Sequence, residues 1–284
     1  MIALVSDIHA NLEALTAVLE HMGSVKEMYC AGDIVGYGPN PNECCELVRE
    51  KNMKCVMGNH DIVCANYGRL DTANCPLDEE MRQLAIQTRD EMNEIARAVA
   101  EWTYHELTEE NREWLRSLPI ERKEKEMTVI HGAVGSKYDM LNTYLDEKFN
   151  TSSSGGAEMT PEDFYREMLD EVQSKILTVG HTHIPSKGYF FKHNSWLSML
   201  PLLARERWVV NPGSVGQPRK GRKASYALIT MPIFPYFKLR ASFHYLERNV
   251  KHHSVAYNRK KTIQKIETKE GFDEKMRFML SRWL

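Results

Sequence analysis

Short apolar runs alternate with helix-like segments along the first part of the chain. The runs with the length of a buried strand are 2–6, 28–31 and 54–57. Between them the apolar residues follow helical spacing, and Asn11 and Asn40 are placed to begin the two helices. Strand, loop and helix in repeated order predict parallel βαβ units, and therefore an α/β fold.

The pattern becomes helical from residue 62 to residue 118. A long helix is expected over 81–107, and a shorter one begins after Thr108. This stretch is typical of a helical insertion that covers a pocket. Strand character returns afterwards, and the predicted elements are a loop at 151–156, a helix over 161–172, and strands at 127–130, 176–179, 188–191, 208–210, 226–230 and 237–245.

These elements predict one principal domain over 1–247, which includes the helical insertion. The remaining residues, 248–284, are basic and polar, with an amphipathic helix expected over 272–283. We expect this C-terminal extension to pack on the same domain.

The composition is that of an ordinary soluble globular chain, with 42% hydrophobic and 27% charged residues. A formal net charge of -2 gives no global field that favours nucleic acid, although local basic patches stay open. No apolar run is long enough to span a membrane, and the amino terminus lacks the basic region of a secretory signal. The six cysteines form no C-x-x-C pair, which predicts buried free thiols and a cytoplasmic protein.

Polar residues stand where the predicted strands end. They are Asp7 and His9, then Asp33, then Asn59 and His60, then His131, and finally His181 and His183. In open α/β sheets, ligands bind outside the carboxyl ends of the strands. We therefore expect these side chains, which are distant in sequence, to converge in one crevice.

The residue types at these positions indicate a metal site. Asp7 and His9 stand two residues apart and can reach one ion from an extended chain, and His181 and His183 repeat that spacing. Asp33 has two carboxylate oxygens with which to bridge two cations. Carboxylate, imidazole and amide donors without thiolate suit Mn²⁺, Fe or Zn²⁺. Two such ions about 3.5–4 Å apart recur in phosphatases, where they activate a bridging water.

Each position also has a structural explanation. An Asp after a strand commonly caps a helix, a single His is commonly structural, and the sequences at 58–61 and 211–214 are typical of turns. Five loops that each bring metal-competent or turn-forming residues to a strand end nevertheless favour the metal site as a set.

The motifs that contain these residues resemble the calcineurin-like metallophosphoesterase superfamily, and within it the small bacterial and archaeal phosphodiesterases of the YfcE-like branch. In chain order they are SDIHAN (6–11), GDIVG (32–36), GNHD (58–61), HGAVG (131–135) and GHTH (180–183), and NPGSVGQPR (211–219) is similar to the closing loop of the family. The resemblance implies two packed mixed β-sheets flanked by helices in four α/β/β/α layers.

The resemblance also implies two divalent metal ions, with manganese the first expectation and iron, zinc or nickel the alternatives. One ion would be held by Asp7, His9, Asp33 and His183, and the other by Asp33, Asn59, His131 and His181. A hydroxide bridging the ions would attack the phosphate, and His60 would protonate the leaving oxygen. Asp61 either orients His60 or caps a helix, and the sequence leaves both roles open.

One departure from the family bears on the substrate. Relatives that act on phosphoproteins or on dinucleoside tetraphosphates have an Arg after the GD motif, whereas here no Arg stands between Asp33 and Arg49. Tyr37 either stands near the pocket or is a buried loop tyrosine, and the basic cluster at 219–223, with Arg219, either receives a phosphate or is a solvated loop. Small phosphodiesters are therefore the favoured substrates. Phosphomonoesters, dinucleoside polyphosphates and nucleic acid are the alternatives, followed by a scaffold without catalysis.

Overall fold

The computed structural model describes residues 1–143, 161–192, 205–219, 221–230 and 250–284. Two five-stranded sheets form its centre. The strands are β1 (Ile2–Val5), β2 (Glu27–Cys30), β3 (Lys54–Cys55), β4 (Arg122–Lys123), β5 (Met127–Val129), β6 (Ile176–Thr178), β7 (Ser186–Lys192), β8 (Arg205–Asn211), β9 (Ala224–Ile229) and β10 (Val250–Val255). The first sheet has the order β10-β9-β1-β2-β3 and the second β4-β5-β6-β8-β7.

Helices flank the two sheets, and some of them pack on other helices. They are α1 (Leu12–Met22), α2 (Pro41–Glu50), α3 (Asn59–Asn66), α4 (Glu79–Glu91), α5 (Glu94–Glu106), α6 (Glu109–Arg116), α7 (Lys137–Asn142), α8 (Pro161–Val172), α9 (Arg259–Thr268) and α10 (Glu274–Trp283). Asn11 caps α1 by accepting a hydrogen bond from the backbone N–H of Ala14, as the sequence predicts. No described helix is long and apolar enough to cross a membrane.

The sheets pack face to face through alternating residues of their strands. Leu4 in β1 lies in the same apolar cluster as Val129 in β5 and Trp208 in β8. Its neighbours Ala3 and Val5 point the other way, toward the cluster beneath α1, because successive side chains of a strand alternate between faces. Helix α8 packs on the outer face of the second sheet. The predicted four-layer α/β/β/α arrangement is thus confirmed.

Each sheet contains three parallel strands, and these direct the functional loops. Strands β1, β2 and β3 are parallel in the first sheet, as are β5, β6 and β8 in the second. Their carboxyl ends meet, since the backbone N–H of Gly180 after β6 donates to the carbonyl of His131 after β5. The side chain of that same His131 contacts the carbonyl of Ala31 after β2, which joins the two sheets at this edge.

The long helix predicted over 81–107 is wrong. The chain forms two helices instead, and α4 ends before Met92 while α5 begins after Asn93. The side chain of Asn93 accepts a hydrogen bond from the backbone N–H of Ala96 and so starts a new helix. Hydrophobic spacing continues through such a break, which is why periodicity alone did not show it.

The segment predicted as a C-terminal extension contributes to the first sheet and to a further apolar cluster. Strand β10 pairs with β9 along its whole length, from Val250 to Val255. Helices α9 and α10 follow, and Phe272, Met276 and Leu280 pack against Ile95 and Val99 of α5. The predicted strand at 237–245 and the predicted loop at 151–156 lie outside the described residues.

Candidate metal centre

Five of the predicted metal ligands lie on left-handed backbone. Their φ angles are 53° for Asp7, 48° for His9, 54° for Asp33, 64° for His181 and 60° for His183. Non-glycine residues seldom adopt this conformation, which costs about 1–3 kcal/mol at a functional site. Hydrogen bonds between loops hold it, since the N–H of Asp7 donates to Gly32 and that of His9 to Asp33. Strain is therefore concentrated where the strands end.

Asp7, His9 and His183 form the first group of donors. The Nε2 atoms of His9 and His183 are 3.2 Å apart, and Asp7 Oδ1 is 3.3 Å from His183 Nε2. Asp7 is fully buried, yet its Oδ2 accepts no hydrogen bond from any described residue. A buried carboxylate oxygen without a partner is costly, and a cation among these atoms would satisfy it.

The second group consists of Asp33, Asn59, His131 and His181. Asn59 Oδ1 lies 2.9 Å from His131 Nε2 and 3.1 Å from His181 Nδ1. The two ring nitrogens are 3.2 Å from each other, and His131 Nε2 is 3.4 Å from Asp33 Oδ2. Four loops from two sheets, after β2, β3, β5 and β6, thus bring oxygen and nitrogen donors to one place.

Asp33 stands between the two groups. Its Oδ2 is 3.7 Å from His9 Nε2 in the first group and 3.4 Å from His131 Nε2 in the second. Its Oδ1 accepts a hydrogen bond of 2.8 Å from the backbone N–H of His60. A Cβ on Gly58 would lie 2.2 Å from this Oδ1, so only glycine allows the two loops to approach. One carboxylate oxygen therefore faces both donor groups.

Backbone carbonyls orient three of the imidazoles. The Nδ1 atoms of His9, His131 and His183 lie 3.3, 2.7 and 2.8 Å from the carbonyl oxygens of Val35, Ala31 and Gln217. With Nδ1–H donating to a carbonyl, the Nε2 lone pair points into the crevice, as a metal ligand requires. The sequence did not reveal these partners, because a carbonyl oxygen has no residue-type signature.

Opposite charges hold the buried carboxylates ionised. Burial disfavours the charged form of Asp7, but the neighbouring His183 outweighs it and lowers the pKa of Asp7 to about 2. Burial likewise opposes His131, yet the Asp33 carboxylate raises the pKa of His131 to about 9. The two carboxylates need positive charge between them, which divalent cations would supply in place of an imidazolium.

Burial keeps two other histidines neutral. It lowers the pKa of His181 to about 3, with the nearby His131 adding to the effect, and it holds the pKa of His9 well below the usual range. A neutral imidazole has the free lone pair that binds a metal.

The donor set fits two divalent ions. Among the residues that the structure describes, three groups of donor atoms each lie within 4.8 Å of one another, and Asp33 belongs to two of them, namely His9–Asp33–His60 and Asp33–His131–His181. The donors are oxygen and nitrogen without thiolate, which matches the chemistry of Mn²⁺, Fe and Zn²⁺.

His60 borders this centre, with Tyr37 beside it. The His60 ring centroid is 5.0 Å from that of His9 and 4.5 Å from that of Tyr37. His60 Nδ1 is buried and has no hydrogen-bond partner among the described residues. A Cβ on Gly36 would lie 2.6 Å from this Nδ1, so the turn at φ 87° leaves room for the ring.

Tyr37 is also supported from the far end of the chain. Its ring meets that of Trp283, in α10, edge to face at 5.7 Å. Sequence analysis missed Trp283, because nothing local to α10 indicates a contact with a loop 246 residues earlier. The helical spacing of α10 was the one available signal, and it did not say which surface the helix covers.

Asp61 braces the ligand loops. Its Oδ1 accepts hydrogen bonds from the backbone N–H groups of Ile34 and Val35, and its Oδ2 accepts one from Gly58. Burial, together with the adjacent Asp33, raises the pKa of Asp61 to about 7. Of the two predicted alternatives, these are the contacts of a helix cap that also holds the loop after β2.

Arg219 lies at the rim of the crevice. It is exposed and follows Gln217, whose carbonyl contacts His183, by two residues. The cluster predicted at 219–223 is described except for Lys220, and Arg222 and Lys223 are exposed as well.

Comparison with known proteins agrees with this geometry. The chain is 35% identical over 239 residues to an uncharacterized protein of Methanocaldococcus jannaschii, covering 80% of this chain and 82% of that one. A metallophosphoesterase structure from Sphaerobacter thermophilus aligns with a TM-score of 0.63 at 29% identity, covering 100% and 98% of the two chains. A hypothetical protein of Pyrococcus horikoshii shares the fold, with a TM-score of 0.66, 22% identity and coverage of 99% and 98%.

A sequence profile of the calcineurin-like phosphoesterase superfamily domain matches residues 1–232. With the sheets, the donor groups and this match in agreement, the chain belongs to the calcineurin-like phosphoesterase superfamily.

Proposed function

We propose that the protein is a dinuclear metal-dependent phosphodiesterase. The observation that supports this most is the position of Asp33 Oδ2, which faces both donor groups. One ion would be held by Asp7, His9, Asp33 and His183, and the other by Asp33, Asn59, His131 and His181. Manganese is the proposed metal, with iron, zinc or nickel as alternatives to be compared by assay.

When bound, the ions would neutralise the phosphate and lower the pKa of a water molecule so that it attacks near neutral pH. Residues of the protein would hold the metal ligands in position. The carbonyl partners of His9, His131 and His183 fix the imidazoles, and Asp61 fixes the two loops that hold Asp33 and Asn59. Preorganised ligands need not reorganise during the reaction.

His60 would act as the general acid. It borders both Asp33 and His9, so its ring lies within reach of an ester oxygen on the side of the donor groups. An alkoxide is a poor leaving group, and proton donation to it contributes roughly 10²–10⁴-fold to the rate. Tyr37, packed beside His60, would form the adjoining wall of the substrate site.

The preference for diesters follows from the charge of the crevice. The loop after Asp33 places Tyr37, not a cation, against His60. A monoester dianion gains most from an Arg clamp, whereas a diester monoanion needs less neutralisation. Arg219 is exposed, so it would reach a phosphate from the rim of the crevice and not from within it. We place the enzyme in the cytoplasm, because all six cysteines are free thiols and five are buried.

Steady-state kinetics test the proposal. We expect kcat/KM for bis(4-nitrophenyl) phosphate to exceed that for 4-nitrophenyl phosphate and for a phosphoserine peptide at one pH with Mn²⁺. A parallel panel with Zn²⁺, Mg²⁺ and Fe²⁺ identifies the preferred metal. Full activity after treatment with a chelator would exclude the metal centre. A clear preference for the phosphopeptide would exclude the diester assignment and direct attention to Arg219→Ala.

A further inference from the structure

Positive charge is segregated in two stretches of the chain. Residues 211–230 and 250–266 contain nine of the 37 Lys and Arg residues and none of the 39 Asp and Glu residues. The formal net charge of -2 therefore conceals a strongly basic part and an acidic remainder. A local patch of this kind can attract anions even when the whole protein does not.

The fold brings the two stretches together. Strands β9 and β10 are antiparallel neighbours, and Ala224 at the start of β9 pairs with Val255 at the end of β10. The loop that enters β9 thus lies beside the segment that leaves β10 for α9. The loop before β9 and helix α9 both contact Asn11, whose side chain donates to the carbonyl of Gly216 and accepts from the hydroxyl of Thr262.

This place is next to the metal centre. Strand β9 runs antiparallel to β1, with Leu4 opposite Ala227, so the start of β9 lies at the carboxyl end of β1, where Asp7 and His9 stand. The N–H of Gly216 donates to the carbonyl of Asp7. The chain then passes Gln217, which contacts His183, and enters the basic cluster two residues later, a span of about 7 Å at most.

The basic side chains here are accessible. Arg219, Arg222, Lys223 and Lys260 are exposed, and we call these four residues the basic face. No described acidic residue forms an ion pair with any of them. The neighbouring carboxylate of Glu13 is buried and is engaged by Lys265 at 2.7 Å and Lys261 at 3.4 Å. The charge of the basic face is thus left for an external anion.

We propose that the basic face binds a further phosphate group of the substrate, beyond the one that is hydrolysed. The proposal rests on the proposed function and narrows it to esters with more than one phosphate. An oligonucleotide and a nucleoside polyphosphate share this chemistry. Phosphate contacts of this type are electrostatic, so their strength falls steeply with salt.

The test compares two triple variants. Arg222→Gln/Lys223→Gln/Lys260→Gln removes three charges from the basic face. The matched control is Lys26→Gln/Lys51→Gln/Lys123→Gln, whose side chains are 81%, 40% and 60% exposed at the opposite edge of the sheets. Binding of a fluorescein-labelled ten-nucleotide single-stranded DNA is followed by anisotropy between 50 and 200 mM KCl. Turnover of bis(4-nitrophenyl) phosphate serves as the one-phosphate comparison.

We expect the face variant to bind the oligonucleotide at least tenfold more weakly, with the slope of log Kd against log salt reduced by about 2. The fold decrease in its turnover of the one-phosphate ester should be at least tenfold smaller than the fold decrease in its affinity for the oligonucleotide. The control variant should stay within twofold of wild type for both probes. Competition with inorganic tripolyphosphate then distinguishes a nucleoside polyphosphate from an oligonucleotide as the molecule that carries the further phosphate. If it displaces the DNA and the DNA is not cleaved, the further phosphate belongs to a nucleoside polyphosphate. If the DNA is cleaved, it belongs to an oligonucleotide.

Equal weakening in the two variants, or an unchanged salt slope in the face variant, would overturn the proposal. Failure of the wild type to hydrolyse any ester would instead count against the proposed function, while the anisotropy would still report on the basic face. Thermal melting of both variants within a few degrees of wild type shows that neither change has unfolded the protein, as expected at exposed positions.

Discussion

Two adjoining regions of this molecule, the candidate metal crevice and an apolar cluster, bury opposite kinds of side chain. The metal crevice buries Asp7 and Asp33 together with histidines, on backbone that is strained at five ligand positions. The apolar cap, which we define as Ile95 and Val99 of α5 with Phe272, Met276 and Leu280, buries apolar side chains without a charged group. Burying charge costs free energy and burying apolar surface supplies it. The comparison teaches that burying the charged crevice costs free energy, which apolar regions such as the cap offset, while hydrogen bonds between its own loops set its geometry.

The two regions meet at Tyr37. This residue packs beside His60 and His9 on one side and against Trp283 on the other. The cap can therefore shape the substrate site without taking part in the chemistry. Changes in the crevice should alter activity more than stability, and changes in the cap should do the reverse.

The largest expected effect is on turnover, from Asp33→Asn. An amide cannot bridge two cations as a carboxylate does, so turnover should be abolished and at least one bound metal lost by elemental analysis. Near neutral pH the metal-free variant should melt lower than metal-free wild type, because the carboxylate that pairs with the buried His131 imidazolium is gone, while the Oδ1 contact with the backbone N–H of His60 is retained. Activity near the wild-type level would refute the bridging role.

His60→Gln should lower the rate by roughly 10²–10⁴-fold while both metals are retained. The loss should be smaller for a nitrophenolate ester than for an alkyl ester, because a good leaving group needs little protonation. The measurement is kcat for both esters, with metal content determined on the same samples. Equal losses for the two esters would assign His60 to phosphate binding instead of proton donation.

Leu280→Ala tests the expectation that changes in the apolar cap lower stability more than activity. Leu280 is fully buried in the apolar cap, so its truncation should cost about 2–5 kcal/mol in urea unfolding. Metal content and kcat should remain near wild type at temperatures where the variant is folded. Phe278→Ala is the matched control on the same helix, since Phe278 is 55% exposed and its loss should change stability by about 0.5 kcal/mol or less. Loss of metal without loss of stability would break the distinction between the regions.

The smallest expected effect concerns Trp283, where the regions touch. An aromatic pair contributes about 0.5–1.5 kcal/mol beyond its burial, so Trp283→Leu should raise KM for aryl diesters by about two- to tenfold with little change in kcat. Trp283→Phe should largely restore KM. Trp102→Phe, in the same cluster but packed on Phe272, controls for general disturbance of the cap. A fall in kcat with unchanged KM would contradict a role for Trp283 in shaping the substrate wall.

The sequence predicted the fold well where local patterns are strong. Apolar runs indicated β1, β2 and β3, and the caps at Asn11 and Thr108 were placed correctly. It failed at Asn93, where a side-chain cap divides one stretch of continuous helical spacing into two helices. Short-range periodicity measures which face is apolar, not whether the backbone is interrupted.

For the candidate site, the sequence named the side chains, and the fold brings all seven predicted ligands and His60 into one crevice. It could not name the carbonyls of Val35, Ala31 and Gln217 that orient the imidazoles. It also left two roles for Asp61, since accepting three backbone N–H groups depends on loops that meet in space only after folding.

By itself the sequence determined the family motifs, the alternation of strand and helix, and the types of donor available to a metal. Only the tertiary structure decided that one oxygen of Asp33, Oδ2, faces both donor groups, that Trp283 supports Tyr37, and that the loop leading into the basic face contacts His183 through the carbonyl of Gln217. The physical reason is the separation along the chain over which each kind of signal acts. Residue type and periodicity act over a few positions along the chain, whereas these contacts join residues as much as 246 positions apart and exist only once two sheets have packed.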